Sequence, residues 1–81
     1  MIYYEIMRLV KKDARHIFID LWNEENTSNV ELTMTFNTIV AMNIFYEVLN
    51  DHMCNNNEIT LSDICILYNY WGGINGEKKQ P

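Results

Sequence analysis

The chain has 81 residues, a formal net charge of −5 and 48% hydrophobic residues. A chain of this length is expected to form a single domain, because it has too few residues for a second hydrophobic core. The hydrophobic content is high for so small a chain, so part of it is expected at the surface, where it favours self-association or a partner. No window reaches the ~18–20 uncharged apolar residues of a membrane-spanning helix. Residues 1–5 carry no basic leader, so we expect a cytoplasmic protein that does not bind membranes.

Positive charges are confined to two short segments of the chain. All Lys and Arg residues lie within residues 8–15 or at 78–79, and residues 16–77 contain nine acidic residues and no Lys or Arg. Such a surface repels nucleic acid and attracts proteins with a basic surface. The alternative interpretation is that the negative surface only keeps the protein in solution.

Residues 2–24 are expected to form one long amphipathic helix. Apolar residues recur there at steps of three and four, the spacing of one helix face: Tyr3, Met7, Val10, Ala14, Ile17 and Leu21. An alternative divides the segment at Lys12-Asp13 and makes residues 16–22 a strand, because Ile17, Ile19 and Leu21 alternate with other residues.

Residues 30–36 alternate strictly between apolar and polar side chains, which indicates a strand. A strand needs a partner, and residues 17–21 are the only candidate. The two strand assignments are therefore correct together or wrong together. If residues 30–36 are not a strand, Thr33 or Thr35 could begin the next helix as an N-cap.

Two further helices are predicted. Residues 38–53 form a helix with Asn37 as a plausible cap, and its apolar arc is wider than one packed layer normally covers. The last helix, 60–71, begins with a capping box at Thr60-Leu61-Ser62-Asp63 and a hydrophobic staple between Ile59 and Ile64. Gly72-Gly73 is expected to end it.

No motif for catalysis, metal binding or cofactor binding is evident. His16 and Asp20 would be neighbours on a helix, but no nucleophile accompanies them, and His52 lacks converging ligands. We expect Cys54 and Cys65 to be reduced, buried and inert. The last helix carries no Lys or Arg, which disfavours DNA binding through it. The expected protein is not an enzyme and has no catalytic residues, metal or cofactor.

These observations favour an all-α bundle of three main helices, at about 2–24, from 34 or 38 to 53, and 60–71. The alternative is an α+β fold with a 17–22/30–36 β-hairpin. Residues 1–76 are expected to form the single domain and residues 77–81 a mobile polar tail.

The expected function is binding to a protein with a basic surface, without direct nucleic-acid binding. In size, acidity and absence of chemical motifs, the chain is similar in general character to phage or mobile-element inhibitors of host nucleases, of the anti-CRISPR or anti-restriction type. The residues expected to contact the partner are Glu24, Glu47, Asp51, Ile66 and Tyr70. The alternative is a helical homo-oligomer, such as a homodimer, with a structural or regulatory role, driven by its wide apolar surfaces.

Overall fold

The segment His16–Asn23 is the central strand of a three-stranded antiparallel sheet. The computed structural model describes residues 1–71. Within them, the strands Glu5–Lys11 (β1), His16–Asn23 (β2) and Ser28–Thr35 (β3) pair in the order β1-β2-β3 and precede two helices, Ile39–Cys54 (α1) and Leu61–Tyr70 (α2). The architecture is therefore α+β, and the expected all-α helical bundle is wrong.

Strict alternation along β2 determines where the core lies. Ile17, Ile19 and Leu21 are fully buried, whereas the residues between them lie on the opposite face and are partly exposed. Successive strand residues point to opposite faces of a sheet. One face of the sheet is therefore packed and the other, which we call the open face, is solvated. The core consists of Tyr4, Ile6, Leu9, Ile17, Ile19, Leu21, Phe36, Met42, Phe45, Leu49, Ile59 and Ile64.

A bulge in β1 interrupts the alternation that would mark residues 5–11 as a strand in the sequence. The register of β1 against β2 shifts between Ile6 and Arg8, which leaves Met7 without a partner. Because a bulge adds one residue to its strand, Ile6 and Leu9 are three residues apart and are both buried. A spacing of three is also typical of a helix face.

The side chains on the expected helix face confirm that the helix assignment was wrong. Tyr3, Met7 and Ala14, which that face would have buried, are exposed. Leu9 and Ile19, which do not belong to that face, are buried. The break expected in the alternative, at Lys12-Asp13, is where the chain turns from β1 into β2.

The alternative hairpin between residues 17–22 and 30–36 is confirmed. β2 and β3 pair without interruption from His16 opposite Thr35 to Asn23 opposite Ser28. Residues 30–35 therefore belong to a strand and do not begin the following helix. That helix begins at residue 39.

Both helices start at threonine N-caps. The Thr38 Oγ1 accepts a hydrogen bond from the Ala41 N–H at 3.1 Å, so the cap of α1 lies one residue after the expected Asn37. The Thr60 Oγ1 accepts from the Asp63 N–H at 3.0 Å, as the capping box predicted. Helix α2 extends to Tyr70; the expected stop at 72–73 and the expected tail at 77–81 lie outside the described residues.

An aromatic cluster joins the two helices to the end of the sheet. The rings of Phe36, Phe45 and Tyr68 lie with centroids 5.0 to 6.2 Å apart. The Tyr68 hydroxyl donates to the Thr35 carbonyl oxygen at 2.7 Å. This contact fixes α2 against the end of β3.

The wide apolar arc of α1 is only partly covered. Met42, Phe45 and Leu49 are buried, whereas Ile39 and Val40 in the first turn are exposed. Cys54 and Cys65 are free, as expected, but both are exposed and not buried. Across residues 1–71, neither helix has the length and apolarity needed to cross a membrane.

Candidate protein-binding surface

The N-terminal segment is held against the loop that joins the two helices. The Tyr4 N–H donates to the Ile59 carbonyl at 2.8 Å, and the Ile59 N–H donates to the Tyr4 carbonyl at 2.9 Å. Both side chains are buried in the core. This isolated bridge brings Glu58 and Thr60, which flank Ile59, to the end of the sheet where β1 begins.

Asn23 connects the same segment to the turn between β2 and β3. Its Nδ2 donates to the Tyr3 carbonyl at 2.7 Å, and its Oδ1 accepts from the Asn26 N–H at 2.6 Å. Asn23 itself is buried, and both hydrogen bonds are partly shielded from water. Asn23 thereby fixes the N-terminal segment and the β2–β3 turn relative to each other.

The β2–β3 turn is closed by an unusual backbone conformation. Thr27 has a φ of 47°, in the left-handed region that β-branched residues rarely occupy. The Thr27 N–H donates to the Glu24 carbonyl at 3.3 Å. This closure places Glu24 and Glu25 at the tip of the hairpin, where both are exposed.

These contacts form a concavity of about 390 Å³, which we call the acidic cleft. Its lining combines three carboxylates, from two loops that are more than thirty residues apart in sequence, with an exposed aromatic ring and the N-terminal side chain: Met1, Tyr3, Asn23, Glu24, Glu25 and Glu58. None of the lysines and arginines within residues 1–71 lines it. The cleft therefore offers a site for a cationic group with an apolar neighbour.

A second concavity, of about 210 Å³, shares Met1 with the acidic cleft. We call it the apolar cleft, and it is lined by Met1, Ile2, Tyr4, Thr60, Leu61 and Ser62. Ile2 and Leu61 are 47% and 36% exposed, which is high for such large apolar side chains. The two clefts together place exposed apolar surface directly beside clustered carboxylates.

The positive side chains of the described residues lie on β1 and on the turn after it. Lys12 and Arg15 belong to the β1–β2 turn, at the opposite end of β2 from Glu24. A strand advances about 3.3 Å per residue, so the eight residues of β2 separate these ends by roughly 25 Å. Charges this far apart are screened from each other at physiological ionic strength. The Lys and Arg side chains of residues 1–71 therefore do not neutralise the acidic cleft.

Several of these cations already contact aromatic rings. The Lys11 Nζ lies 4.6 Å from the centroid of Tyr46, and the Arg8 guanidinium carbon lies 5.5 Å from that of Phe18. Such contacts hold a cation over the negative face of a ring. The positive side chains of β1 and of the β1–β2 turn thus pack against aromatic rings of the same chain.

The five residues expected to contact a partner do not line one cleft. Glu24 lines the acidic cleft, whereas Glu47 and Asp51 are exposed on α1 and line neither cleft. Ile66 and Tyr70 are 62% and 47% exposed on α2, one turn apart. A role for Glu47, Asp51, Ile66 and Tyr70 in partner binding stays a prediction.

Sequence analysis did not identify Glu25, Glu58 and Tyr3 as members of the site. Nothing in the sequence signals that residue 58 lies beside residues 24 and 25. The proximity arises from the Tyr4–Ile59 bridge and the Asn23–Tyr3 hydrogen bond, both of which are long-range contacts.

The histidines have structural partners. The His16 Nδ1 lies 2.7 Å from the Asp13 Oδ1, so its partner is Asp13 and not the Asp20 expected from helical spacing. Asp20 accepts a hydrogen bond from Asn29, and the His52 Nδ1 lies 3.1 Å from the Val48 carbonyl oxygen. Among residues 1–71, no three His, Cys, Asp or Glu side chains are grouped so as to hold a metal ion.

Comparison with known proteins gives no match to a protein-family model, to a curated protein or to a solved structure.

Proposed function

We propose that this protein is an acidic protein-binding module whose two adjoining clefts bind a basic, partly apolar segment of another protein. The observation that carries the proposal is the convergence of Glu24, Glu25 and Glu58 on one concavity beside exposed apolar side chains. A lysine or arginine would occupy the acidic cleft, and a neighbouring apolar side chain would occupy the apolar cleft. Nucleic acid is a poor ligand for this surface, because its phosphates would meet carboxylates.

The consequence for the partner follows from its charge. Basic protein surfaces commonly hold nucleic acid, since phosphate contacts dominate nucleic-acid affinity. A protein that covers such a surface competes with nucleic acid, so the proposed mode of action is inhibition of a basic, nucleic-acid-handling protein. We place this function in the cytoplasm, where the two free cysteines would stay reduced.

The first experiment compares two charge-reversal variants of the full chain. Glu25→Lys/Glu58→Lys alters the acidic cleft, and the matched control Glu47→Lys/Asp51→Lys changes the net charge equally on α1. The probe is a fluorescent synthetic peptide of alternating arginine and leucine, and binding is measured by anisotropy at low and raised salt. Each carboxylate at a partly desolvated interface contributes about 0.5–1 kcal/mol. The cleft variant should therefore bind roughly 5- to 30-fold more weakly, and the control by less than about twofold.

A further variant and a competition assay test the other two parts of the proposal. Leu61→Ser should weaken binding of the arginine–leucine peptide but not of an arginine–glycine peptide, because only the former has an apolar side chain for the apolar cleft. The wild-type protein should also release a single-stranded oligonucleotide from the arginine–leucine peptide. If the cleft variant and the α1 control lose binding affinity equally, then only the net charge of the protein matters. That result would overturn the assignment of the site.

A further inference from the structure

The outer edge of β3 is the longest regular strand edge that residues 1–71 leave without a partner strand. β3 pairs with β2 over all eight of its residues and with no irregularity, and no described strand pairs on its other side. Alternate N–H and C=O groups of an edge strand point away from the sheet, where they can pair with another strand. An edge of this length spans about 27 Å at ~3.4 Å per residue.

The edge formed by β1 is protected by a bulge and by positive side chains, whereas within residues 1–71 the β3 edge is covered at its end alone, where the Thr35 carbonyl accepts from the Tyr68 hydroxyl. β1 contains the bulge at Met7 and carries Arg8 and Lys11. Bulges and positive side chains are common devices that prevent edge-to-edge pairing. β3, with the sequence SNVELTMT, has no bulge, proline, lysine or arginine, and Glu31 is its single charged residue.

The apolar side chains of β3 are incompletely covered. Val30, Leu32 and Met34 lie on the packed face and contact the core, but all three are only partly buried. A strand added beside β3 would extend the sheet and cover the remaining apolar surface of this row. This row of three side chains therefore favours an added strand that also has apolar residues at every second position.

We propose that β3 pairs with β3 of a second copy of this chain, antiparallel and in register about a two-fold axis at Leu32. In this register Leu32 faces its counterpart, Val30 faces Met34 of the second copy, and Glu31 faces Thr33 of the second copy. All helices then lie on one side of a continuous six-stranded sheet. An axis at Glu31 would instead place two carboxylates directly opposite each other, which destabilises a strand pair.

Charge also favours a second copy as the occupant. Antiparallel pairing places the β2–β3 turn of each copy, with Glu24 and Glu25, beside the end of the other copy that carries the β1–β2 turn. Arg15 of that turn is hydrogen-bonded through its carbonyl to Phe36, directly after β3. Neighbouring strands lie about 4.8 Å apart, so the acidic end of one copy would lie about three strand spacings, roughly 14 Å, from the basic end of the other. That is nearer than the roughly 25 Å between the acidic and basic ends of one copy. The test of this pairing alters no residue that lines either cleft, so its failure is distinguishable from failure of the proposed function.

Charge substitutions on the open face of β3 test the register. Thr33 and Glu31 are both exposed, so neither substitution disturbs the core. Thr33→Glu places a carboxylate opposite Glu31 twice per dimer and should weaken the dimer roughly fivefold. Thr33→Lys should leave the dimer as strong or strengthen it, and the double variant Glu31→Lys/Thr33→Glu should restore it. Met7→Glu, with the same charge change at the other sheet edge, is the matched control and should have no effect.

The measurements are sedimentation equilibrium across a concentration series of the full chain, circular dichroism to show that each variant is folded, and amide hydrogen exchange. The wild-type chain should dimerise, and the outward amides of β3 should become protected as the dimer forms. A monomeric chain whose β3 amides exchange rapidly would overturn the proposal. So would a monomer with protected β3 amides, since another part of the chain would then cover the edge. A dimer that is insensitive to Thr33→Glu would show that the copies associate elsewhere.

Discussion

The two hairpins share strand β2 but differ in how strictly their residues alternate. In β2–β3, eight consecutive pairs place every second residue on the same face. In β1–β2, the bulge at Met7 interrupts the alternation, so that Ile6 and Leu9 are both buried although they are three residues apart. The same sheet thus contains a strand pair with a period of two and another in which one inserted residue imitates helical spacing.

The hairpins also differ in what their turns do. The β1–β2 turn is basic, and Asp13 and Arg15 in it are exposed. The β2–β3 turn is acidic and is tied to the rest of the molecule by the buried Asn23. The difference indicates that the β1–β2 turn is stabilised by contacts within itself, whereas the β2–β3 turn forms part of the acidic cleft.

Single-residue deletions should produce the largest difference in stability between a change in one hairpin and a change in the other. Deletion of Met7 removes the unpaired residue and leaves Ile6 and Arg8 in register with β2, so stability should change by less than about 1 kcal/mol. Deletion of Thr33 turns Met34 to the open face and pulls Phe36 out of the aromatic cluster. Because loss of burial of one large apolar side chain costs about 1.5–3 kcal/mol, this deletion should destabilise the fold by at least about 2 kcal/mol.

Urea unfolding followed by fluorescence measures both effects, with circular dichroism as a test that the sheet is retained. The deletion of Thr33 is the control for the deletion of Met7, because each shortens an edge strand by one residue. Equal destabilisation by the two deletions would show that Met7 is not a dispensable bulge and that its position contributes as much as a regularly paired residue.

The strands that could be predicted from the sequence are those with unbroken alternation. β2 and β3 were recognised as the alternative assignment because Ile17, Ile19 and Leu21 alternate, as do Val30, Leu32 and Met34. β1 could not be predicted because the bulge interrupts its alternation, while other apolar residues of 2–24 recur at steps of three and four. The two strand assignments did prove interdependent, as pairing requires.

The helices were predicted more accurately because local interactions determine where they start. The hydrogen bond of Thr60 to the Asp63 N–H depends on residues within one turn and can be read from sequence. The acidic cleft could not be predicted in this way. Its residues meet through a backbone bridge and through one asparagine, and neither leaves a periodic signal.

A substitution at Asn23 should have an intermediate effect and should affect both stability and binding. Asn23→Ala removes a buried donor and a buried acceptor and leaves the Tyr3 carbonyl and the Asn26 N–H unpaired. An unsatisfied buried polar group costs about 1–3 kcal/mol, and we expect a loss in this range together with weaker binding of the arginine–leucine peptide. Asn26→Ala, which keeps the backbone N–H, is the matched control and should change stability by less than about 0.5 kcal/mol. If Asn23→Ala is as stable as the wild type, then water replaces both hydrogen bonds. The β2–β3 turn would then not need the Asn23 side chain to hold its position.

The smallest effect is expected at the basic turn, and it should depend on pH. The Arg15 N–H donates to the Asp13 Oδ1 at 2.9 Å, and the His16 Nδ1 lies 2.7 Å from the same atom. The backbone hydrogen bond from Arg15, followed by the contact with His16, lowers the pKa of Asp13 below its ordinary value of 3.8. A carboxyl group whose pKa is lower in the folded state stabilises the fold above its unfolded pKa, and this contribution disappears as the pH falls through the folded pKa. The stabilisation is therefore present at neutral pH and lost in strong acid.

Asp13→Asn keeps an oxygen acceptor for the Arg15 N–H but removes the charge. Its urea midpoint should lie slightly below that of the wild type at neutral pH, and the two midpoints should converge once the pH falls below the lowered pKa of Asp13. Because the Arg15 hydrogen bond is the largest cause of the shift, His16→Gln should leave the pKa of Asp13 still below 3.8 when its carboxyl carbon is titrated by NMR. An ordinary pKa for Asp13 in His16→Gln would assign the shift to the side-chain contact. The β1–β2 turn would then depend on the His16 ring, and not on the backbone hydrogen bond that makes it locally self-sufficient.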